Sequence, residues 1–256
     1  MKKNVIFIPA MDAGRNRHHG YKYSIESWKE WGKRNNAQVL VWDTLLYTWE
    51  QMTVPWQRYH LFDILEHNQI EYDQVLMVDS DTVVHPDTPN FFEFTERKYC
   101  AVMDLGCWEW TGRSIRLYKD LFNDYKLDRS KYFNGGFQIV NDSHRDFFKL
   151  VLEFYKANSS VLVEKQKQHL GTDQTPINYL VQTNNIDLKM LPPTYTLHHM
   201  VSKNLLNFGH SWWGDTLQNL YEQAWVYHFN AIPGNVLKRD SAYFLQRAYE
   251  ELWTKQ

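Results

Sequence analysis

Asp79 and Asp81 flank a serine directly after the apolar run Val75-Leu76-Met77-Val78. In extended backbone, residues two apart point the same way, so both carboxylates can face one point at the end of a strand. Two hard oxygen donors there suit Mg²⁺ or Mn²⁺, above all where phosphate oxygens complete the shell. A turn with aspartates at capping positions is the plain alternative. The apolar strand before the pair, and Thr82-Val83-Val84 after it, favour the metal reading. Other residues carry chemistry with a structural counterpart. Asp173 opens a helical run and is an N-cap by default. Asn134-Gly135-Gly136 lets backbone approach a ligand closely or forms a strand bulge. His228 beside Tyr227 is either a core histidine or an imidazole ligand.

Elements must bring these groups together. Val5-Ile6-Phe7-Ile8, ended by Pro9, reads as a buried parallel strand. Tyr23 to Arg34 has apolar residues at helical spacing, Gln38 to Asp43 is a second strand, and a helical stripe of Trp56, Tyr59, Leu61, Phe62, Ile64 and Leu65 follows Pro55. Val75 to Val78 is the third strand. Tyr99 to Asp104 and Gly136 to Asn141 read as further strands, Ser143 to Lys156 and Asp173 to Gln182 as helices, Asn185 to Leu191 as extended, and Ser241 to Trp253 as a closing helix. Tyr195 to Asn235 reads as loop. Strands alternating with helices predict an α/β fold whose sheet is mostly parallel and covered on both faces. Ligands of such sheets sit at the carboxyl ends of strands.

Composition narrows the function classes. The 256 residues carry Lys+Arg 28 against Asp+Glu 30, a formal charge of -2, so no global positive field exists to hold nucleic acid. Two cysteines, Cys100 and Cys107, are too few for a disulfide framework and read as reduced core residues of a cytoplasmic protein. The apolar run at the N-terminus is too short for a signal peptide, and no stretch approaches the ~20 apolar residues of a membrane span, which leaves peripheral association open. With 11 Trp, 16 Tyr and 14 Phe, rings exceed ordinary use. Trp28, Trp31 and Trp56 follow helical stripes and read as core, whereas Trp108, Trp110, Trp212 and Trp213 suit stacking on sugar faces.

The segment Tyr72 to Val84, with Asp79-Ser80-Asp81 within it, resembles the signature of GT-A fold glycosyltransferases, especially family 8 and its relatives. Further segments follow in the family's order: Arg58 on the preceding helix, Asp104 ending a strand, Tyr132-Phe133-Asn134-Gly135-Gly136, Gly171-Thr172-Asp173-Gln174, Leu191-Pro192-Pro193-Thr194-Tyr195, and Tyr227-His228-Phe229. They span roughly residues 4 to 235. The resemblance implies a GT-A, Rossmann-like domain over 1–256, with a nucleotide-binding half at 1–105 and an acceptor-side half at 106–256. It also implies a hexosyltransferase or relative that moves a sugar from a nucleotide-sugar donor, a UDP-sugar by family habit, to a glycan or glycoconjugate acceptor with retention.

Residue by residue, the resemblance makes Asp79, Asp81 and His228 the ligands of Mn²⁺ (or Mg²⁺). It puts Arg58, Ser80, Asp104, Asn134 and Gly135 around the donor, and Asp173 and Gln174 at the sugar for positioning and charge stabilisation. The base and ribose would lie over Pro9, Ala10 and Met11. In the family a Gly and then a phosphate-contacting Lys follow the histidine closely; here Gly234 and Lys238 come later, and Lys203 is the other candidate. The polar, aromatic stretch from His198 through His210, Trp212 and Trp213 is assigned to the acceptor site or a lid. Two competing readings stand beside this one. A nucleotidyltransferase builds a nucleotide site on a similar sheet but calls for a Gly-rich basic loop after the first strand, for which Asp12-Ala13-Gly14-Arg15 is a weak match. An inactive sugar-binding protein of the same fold would not need the intact Asp79, Asp81 and His228 set.

Overall fold

The computed structural model describes residues 2–12, 18–104, 106, 108–198, 224–230, 232 and 240–254. Its strands and helices run in the order β1 (Lys3–Pro9), α1 (Tyr21–Arg34), β2 (Ala37–Trp42), α2 (Val54–Gln57), α3 (Leu61–His67), β3 (Tyr72–Val78), β4 (Thr82–Val84), β5 (Tyr99–Met103) and α4 (Trp108–Tyr118). There follow β6 (Phe133–Asn141), α5 (Arg145–Gln166), α6 (Gln174–Thr183), β7 (Leu188–Leu191), β8 (Val226–His228) and α7 (Ser241–Tyr249).

Six strands form one sheet in the order β2-β1-β3-β6-β5-β7. All neighbours pair in parallel except β6, which runs antiparallel to both β3 and β5. The sheet is mostly parallel and flanked by helices, as the strand and helix pattern predicts. Its interior strands are buried on both sides, and the period-two alternation sorts their side chains. Val5, Phe7, Val75 and Met77 face the cluster containing Trp56, Tyr59, Phe148 and Ile177, on α2, α5 and α6 and the turn between α2 and α3. Ile6, Ile8, Leu76 and Val78 face Trp28 and Trp31 of α1. Trp28, Trp31 and Trp56 are fully buried, as their helical spacing predicts. A third cluster joins Val83 of β4, Tyr227 of β8 and Phe244, Leu245 and Ala248 of α7, and closes over the small antiparallel pair β4–β8.

Several boundaries differ from the sequence expectation for physical reasons. The stripe after Pro55 is not one helix: a 3-10 turn at Arg58–His60 separates α2 from α3, and Arg58 Nε takes the carbonyl of Pro55 at 3.0 Å. α5 runs 22 residues, beyond the expected Lys156, because Leu162 is buried and Lys165 reaches across to the carbonyl of Leu117 at 2.7 Å. β6 starts at Phe133, so Asn134-Gly135-Gly136 lies inside a strand. Its register to β5 shifts there: Gln138 faces Ala101 and Phe133 faces Met103, so residues 134–137 bulge out of that ladder. Part of the expected loop after Tyr195 is β8. Among the described residues, no helix is long and apolar enough to cross a membrane.

Candidate active site

β3 ends at Val78, and Asp79-Ser80-Asp81 turns tightly into β4 instead of continuing as extended backbone. The alternation invoked from sequence is therefore not what aligns the two carboxylates. Two hydrogen bonds shape the turn instead. Asp79 N–H donates to Gly136 O at 3.0 Å, and Thr82 Oγ1 donates to Asp79 O at 2.7 Å. The same Thr82 oxygen accepts from Trp28 Nε1 at 2.9 Å, which pins the turn to α1. Trp28 and Thr82 are fully buried, where an unmade hydrogen bond costs about 1–3 kcal/mol. Ser80 is buried at the apex of the turn.

β8 delivers the histidine. Thr82 pairs with His228 across the β4–β8 ladder, and Phe229 N–H donates to Asp81 O at 2.8 Å. His228 Nε2 lies 3.0 Å from Asp81 Oδ1 and 3.4 Å from Asp79 Oδ2, and the three prospective ligand atoms fall within 4.8 Å of one another. Nδ1 of this imidazole is buried without a hydrogen-bond partner among the described residues. Burial disfavours charge on the ring, but Asp81 and Asp79 more than offset it and raise its pKa to about 9. Two carboxylates and an imidazole converging this closely can hold a divalent cation of the Mg²⁺ or Mn²⁺ type. β6 passes so near that a Cβ on Gly136 would sit 2.4 Å from His228 Cε1 and 2.6 Å from Asp79 Oδ2, so only glycine fits.

Arg58 links this cluster to a third carboxylate. Its Nη1 donates to Asp79 Oδ1 at 2.6 Å and to Gly135 O at 3.1 Å, while Nε lies 3.6 Å from Asp173 Oδ2. Burial opposes the guanidinium charge, yet Asp79 and Asp173 on either side hold it firmly protonated. Burial likewise pushes Asp79 up, and Arg58 and His228 overcome it to keep the carboxylate well below its usual range. Asp173 occupies the N-cap position of α6 but makes no side-chain cap hydrogen bond. Its carboxylate accepts instead from Tyr59 Oη at 3.2 Å and Thr172 Oγ1 at 3.0 Å, which removes the plain capping role.

Gln174 Nε2 donates to Asp104 Oδ2 at 2.6 Å, and its Oε1 accepts from Gly135 N at 3.1 Å and Asn134 Nδ2 at 3.2 Å. Asp104 also accepts from Gly106 N–H at 2.8 Å and faces His198 Nε2 at 3.4 Å. Burial works against the Asp104 charge, but His198, Gly106 and Gln174 bring its pKa down to about 2.

A cleft of about 210 Å³ is walled by Arg58, Asp79, Asn134, Gly135, Asp173, Gln174 and His228, with Pro55, Trp110, His169 and Asn230 also lining it. Arg58, Asp79, Asn134, Gly135, Asp173, Gln174 and His228, all singled out in the sequence, thus line one cleft, while Ser80 and Asp81 are not part of its walls. Asp104 does not line this cleft; it accepts a hydrogen bond from Gln174, which does. Pro9, Ala10 and Met11 also lie outside its walls; because Phe7 pairs with Met77, they leave the sheet beside Asp79-Ser80-Asp81. Trp110 lines the cleft, whereas Trp108 is 68% exposed under the guanidinium of Arg129, 3.5 Å from its ring centroid. His210, Trp212, Trp213, Lys203, Gly234, Lys238 and Cys107 lie outside the described residues.

Sequence reasoning missed Tyr59, Thr82 and Tyr132 as parts of the site. Thr82 had a signal, a hydroxyl opening an otherwise apolar run that is fully buried. Tyr59 had none, since an aromatic in a helical stripe reads as core.

No protein-family model and no curated protein matches the sequence. Among solved structures, a glycosyltransferase involved in the glycosylation of the major capsid of PBCV-1 is similar with a TM-score of 0.61 at 11% identity, covering 96% of this chain and 99% of that one. Mouse xyloside xylosyltransferase 1 in its apo form gives 0.46 at 13% identity over 91% of this chain and 99% of that one. The glycosyltransferase GlyE of Streptococcus pneumoniae TIGR4 gives 0.47 at 14% identity over 98% and 64%. At such identity the first likeness concerns the fold, and the fold is the GT-A type, a mixed α/β architecture on a mostly parallel sheet.

Proposed function

We propose that this chain is a metal-dependent glycosyltransferase that moves a sugar from a nucleoside diphosphate donor, with UDP implied by the resemblance to family 8, to a glycan or glycoconjugate acceptor with retention. The observation that carries this reading is the convergence of Asp79, Asp81 and His228 within 4.8 Å beyond the carboxyl end of β3, where Asp79 and His228 line a polar cleft. Glycosyl transfer leaves a diphosphate whose negative charge grows as the bond to the sugar breaks. A divalent cation held by these three side chains would offset that charge. The donor set fits Mn²⁺, because an imidazole nitrogen beside two carboxylate oxygens suits it better than Mg²⁺; the two carboxylates would balance the ion's charge and leave its remaining positions for phosphate oxygens.

The chain's own groups divide the remaining work. Arg58 Nη2 makes no hydrogen bond among the described residues, which leaves two N–H groups of a cleft-lining guanidinium for a phosphate or sugar oxygen. Asp173, held by Tyr59 and Thr172, presents a fixed carboxylate to the sugar and would stabilise positive charge developing at its anomeric carbon. Pro9, Ala10 and Met11 offer backbone groups beside the turn for the base and ribose. Trp110 supplies an apolar ring face for a pyranose. Donor hydrolysis tests the assignment: with Mn²⁺ and a matching UDP-sugar, the protein releases UDP slowly, and Asp173→Asn lowers the rate at least ~10²-fold. Full activity of that variant would remove Asp173 from the site.

A further inference from the structure

Gln174 lines the cleft, yet its hydrogen-bonding capacity is spent within the protein. A primary amide offers two N–H groups and two oxygen lone pairs. Nε2 donates to Asp104 Oδ2 at 2.6 Å and to Tyr132 Oη at 3.3 Å; Oε1 accepts from Gly135 N at 3.1 Å and Asn134 Nδ2 at 3.2 Å. The chemistry of the partners fixes which end is which. A carboxylate only accepts, so nitrogen faces Asp104, and a backbone N–H only donates, so oxygen faces Gly135. Tyr132 Oη is also hydrogen-bonded to Thr175 Oγ1 at 2.7 Å, where either hydroxyl can donate. A hydrogen bond from this amide to a sugar would require breaking one already made.

We propose that Gln174 is a positioning residue, whose amide clasps Asp104, Tyr132 and the Asn134-Gly135 bulge and acts on the donor through them without touching the sugar. This rests on the glycosyltransferase reading above. The route to the reacting groups is short. Gly135 O accepts from Arg58 Nη1 at 3.1 Å, and Arg58 in turn holds Asp79. Asp104, outside the cleft walls, serves as the anchor that orients the clasp.

The test is a double-mutant cycle on Mn²⁺-dependent hydrolysis, using whichever of UDP-glucose, UDP-galactose or UDP-xylose the wild type cleaves fastest. Gln174→Ala and Asp104→Asn each lower kcat about 10- to 100-fold, leave the Kd for UDP with Mn²⁺ within about 2-fold, and together cost no more than either alone. Gln174→Glu also loses activity, because its carboxylate would meet that of Asp104. Losses that multiply in the double variant, or wild-type kcat in Gln174→Glu, overturn the clasp alone. A wild type that binds no UDP with Mn²⁺ overturns the transferase reading and the clasp with it. Should the variants fail to fold, a crystal structure of the wild type with Mn²⁺ and an intact UDP-sugar decides: the amide keeps its four partners, or it has turned to a sugar hydroxyl and the proposal falls.

Discussion

Thr82 stands directly opposite His228 in the β4–β8 ladder, while its hydroxyl bridges Trp28 Nε1 and the carbonyl of Asp79. One buried side chain therefore references the turn carrying both aspartates to helix α1 and to the strand carrying the histidine. The hydroxyl has one proton, and a carbonyl can only accept, so the direction is set: Thr82 donates to Asp79 and accepts from Trp28.

Thr82→Val keeps the shape and removes both bonds. The loss leaves a buried indole N–H unpaired, so stability falls by about 1–3 kcal/mol. Mn²⁺ affinity drops about 3- to 10-fold as the turn loosens, on the scale of one net hydrogen bond. Thr82→Ser restores the affinity. Thermal melts and Mn²⁺ titrations of the two variants read these effects separately, and an unchanged Mn²⁺ affinity in Thr82→Val would show that the turn holds itself.

Adjacent glycines in β6 respond in opposite ways. Gly136→Ala drives a methyl into His228 and Asp79 at 2.4 and 2.6 Å, so it lowers stability by several kcal/mol and abolishes metal binding. Gly135→Ala brings its methyl no closer than 3.6 Å to Gln174 Cβ, an ordinary contact, so it is tolerated. Equal melting temperatures for the two variants would contradict the described approach of β6 to the cluster.

pH dependence at a distance from the cleft comes from His144. Its Nδ1 accepts the N–H of Asn141 at 3.1 Å, its ring packs edge-on to Tyr99, and burial lowers its pKa below 6.5. The unfolded chain therefore takes up the proton first as pH falls. The His144 contribution is complete above pH 6.5 and is lost as pH drops toward the lowered folded value. Denaturant midpoints followed from pH 7 to pH 5 fall more steeply for the wild type than for His144→Gln. Parallel curves would exclude the neutral, buried imidazole.

Cys100 is buried within β5, where burial pushes its thiol up to about 12. A thiol kept protonated and covered is a poor nucleophile. In a Cys107→Ser background, native protein at pH 8 reacts with a thiol reagent only as fast as it unfolds, and prompt labelling would contradict the burial.

The scaffold was legible in the sequence wherever an apolar run had a single reading. Val5 to Ile8 and Val75 to Val78 had to be buried strands, and Trp28 and Trp31 had to face them from one helix stripe. The candidate metal site was legible because Asp79 and Asp81 follow such a strand; its geometry was not, since period-two alternation applies to extended backbone and the chain turns at Asp79. The β6 bulge was legible only as one of two readings of Asn134-Gly135-Gly136, because all nine residues of the strand are buried, which erases the periodicity that would have shown the strand starting at Phe133. Arg58 was placed on a regular helix, while its side chain, bonded back to Pro55, sits in a 3-10 turn. Asp104 was placed at the donor from resemblance alone; that it bonds the cleft-lining Gln174 was not legible, because the two are 70 residues apart in sequence.

The central claim, that Asp79, Asp81 and His228 hold a divalent cation that binds a nucleoside diphosphate, is tested most directly by calorimetry of UDP with and without Mn²⁺. The account predicts weak UDP binding without the metal, a gain of at least ~10-fold with it, and loss of that gain in Asp81→Ala at an unchanged fold. UDP binding that is equally tight without Mn²⁺ and indifferent to Asp81→Ala would contradict it.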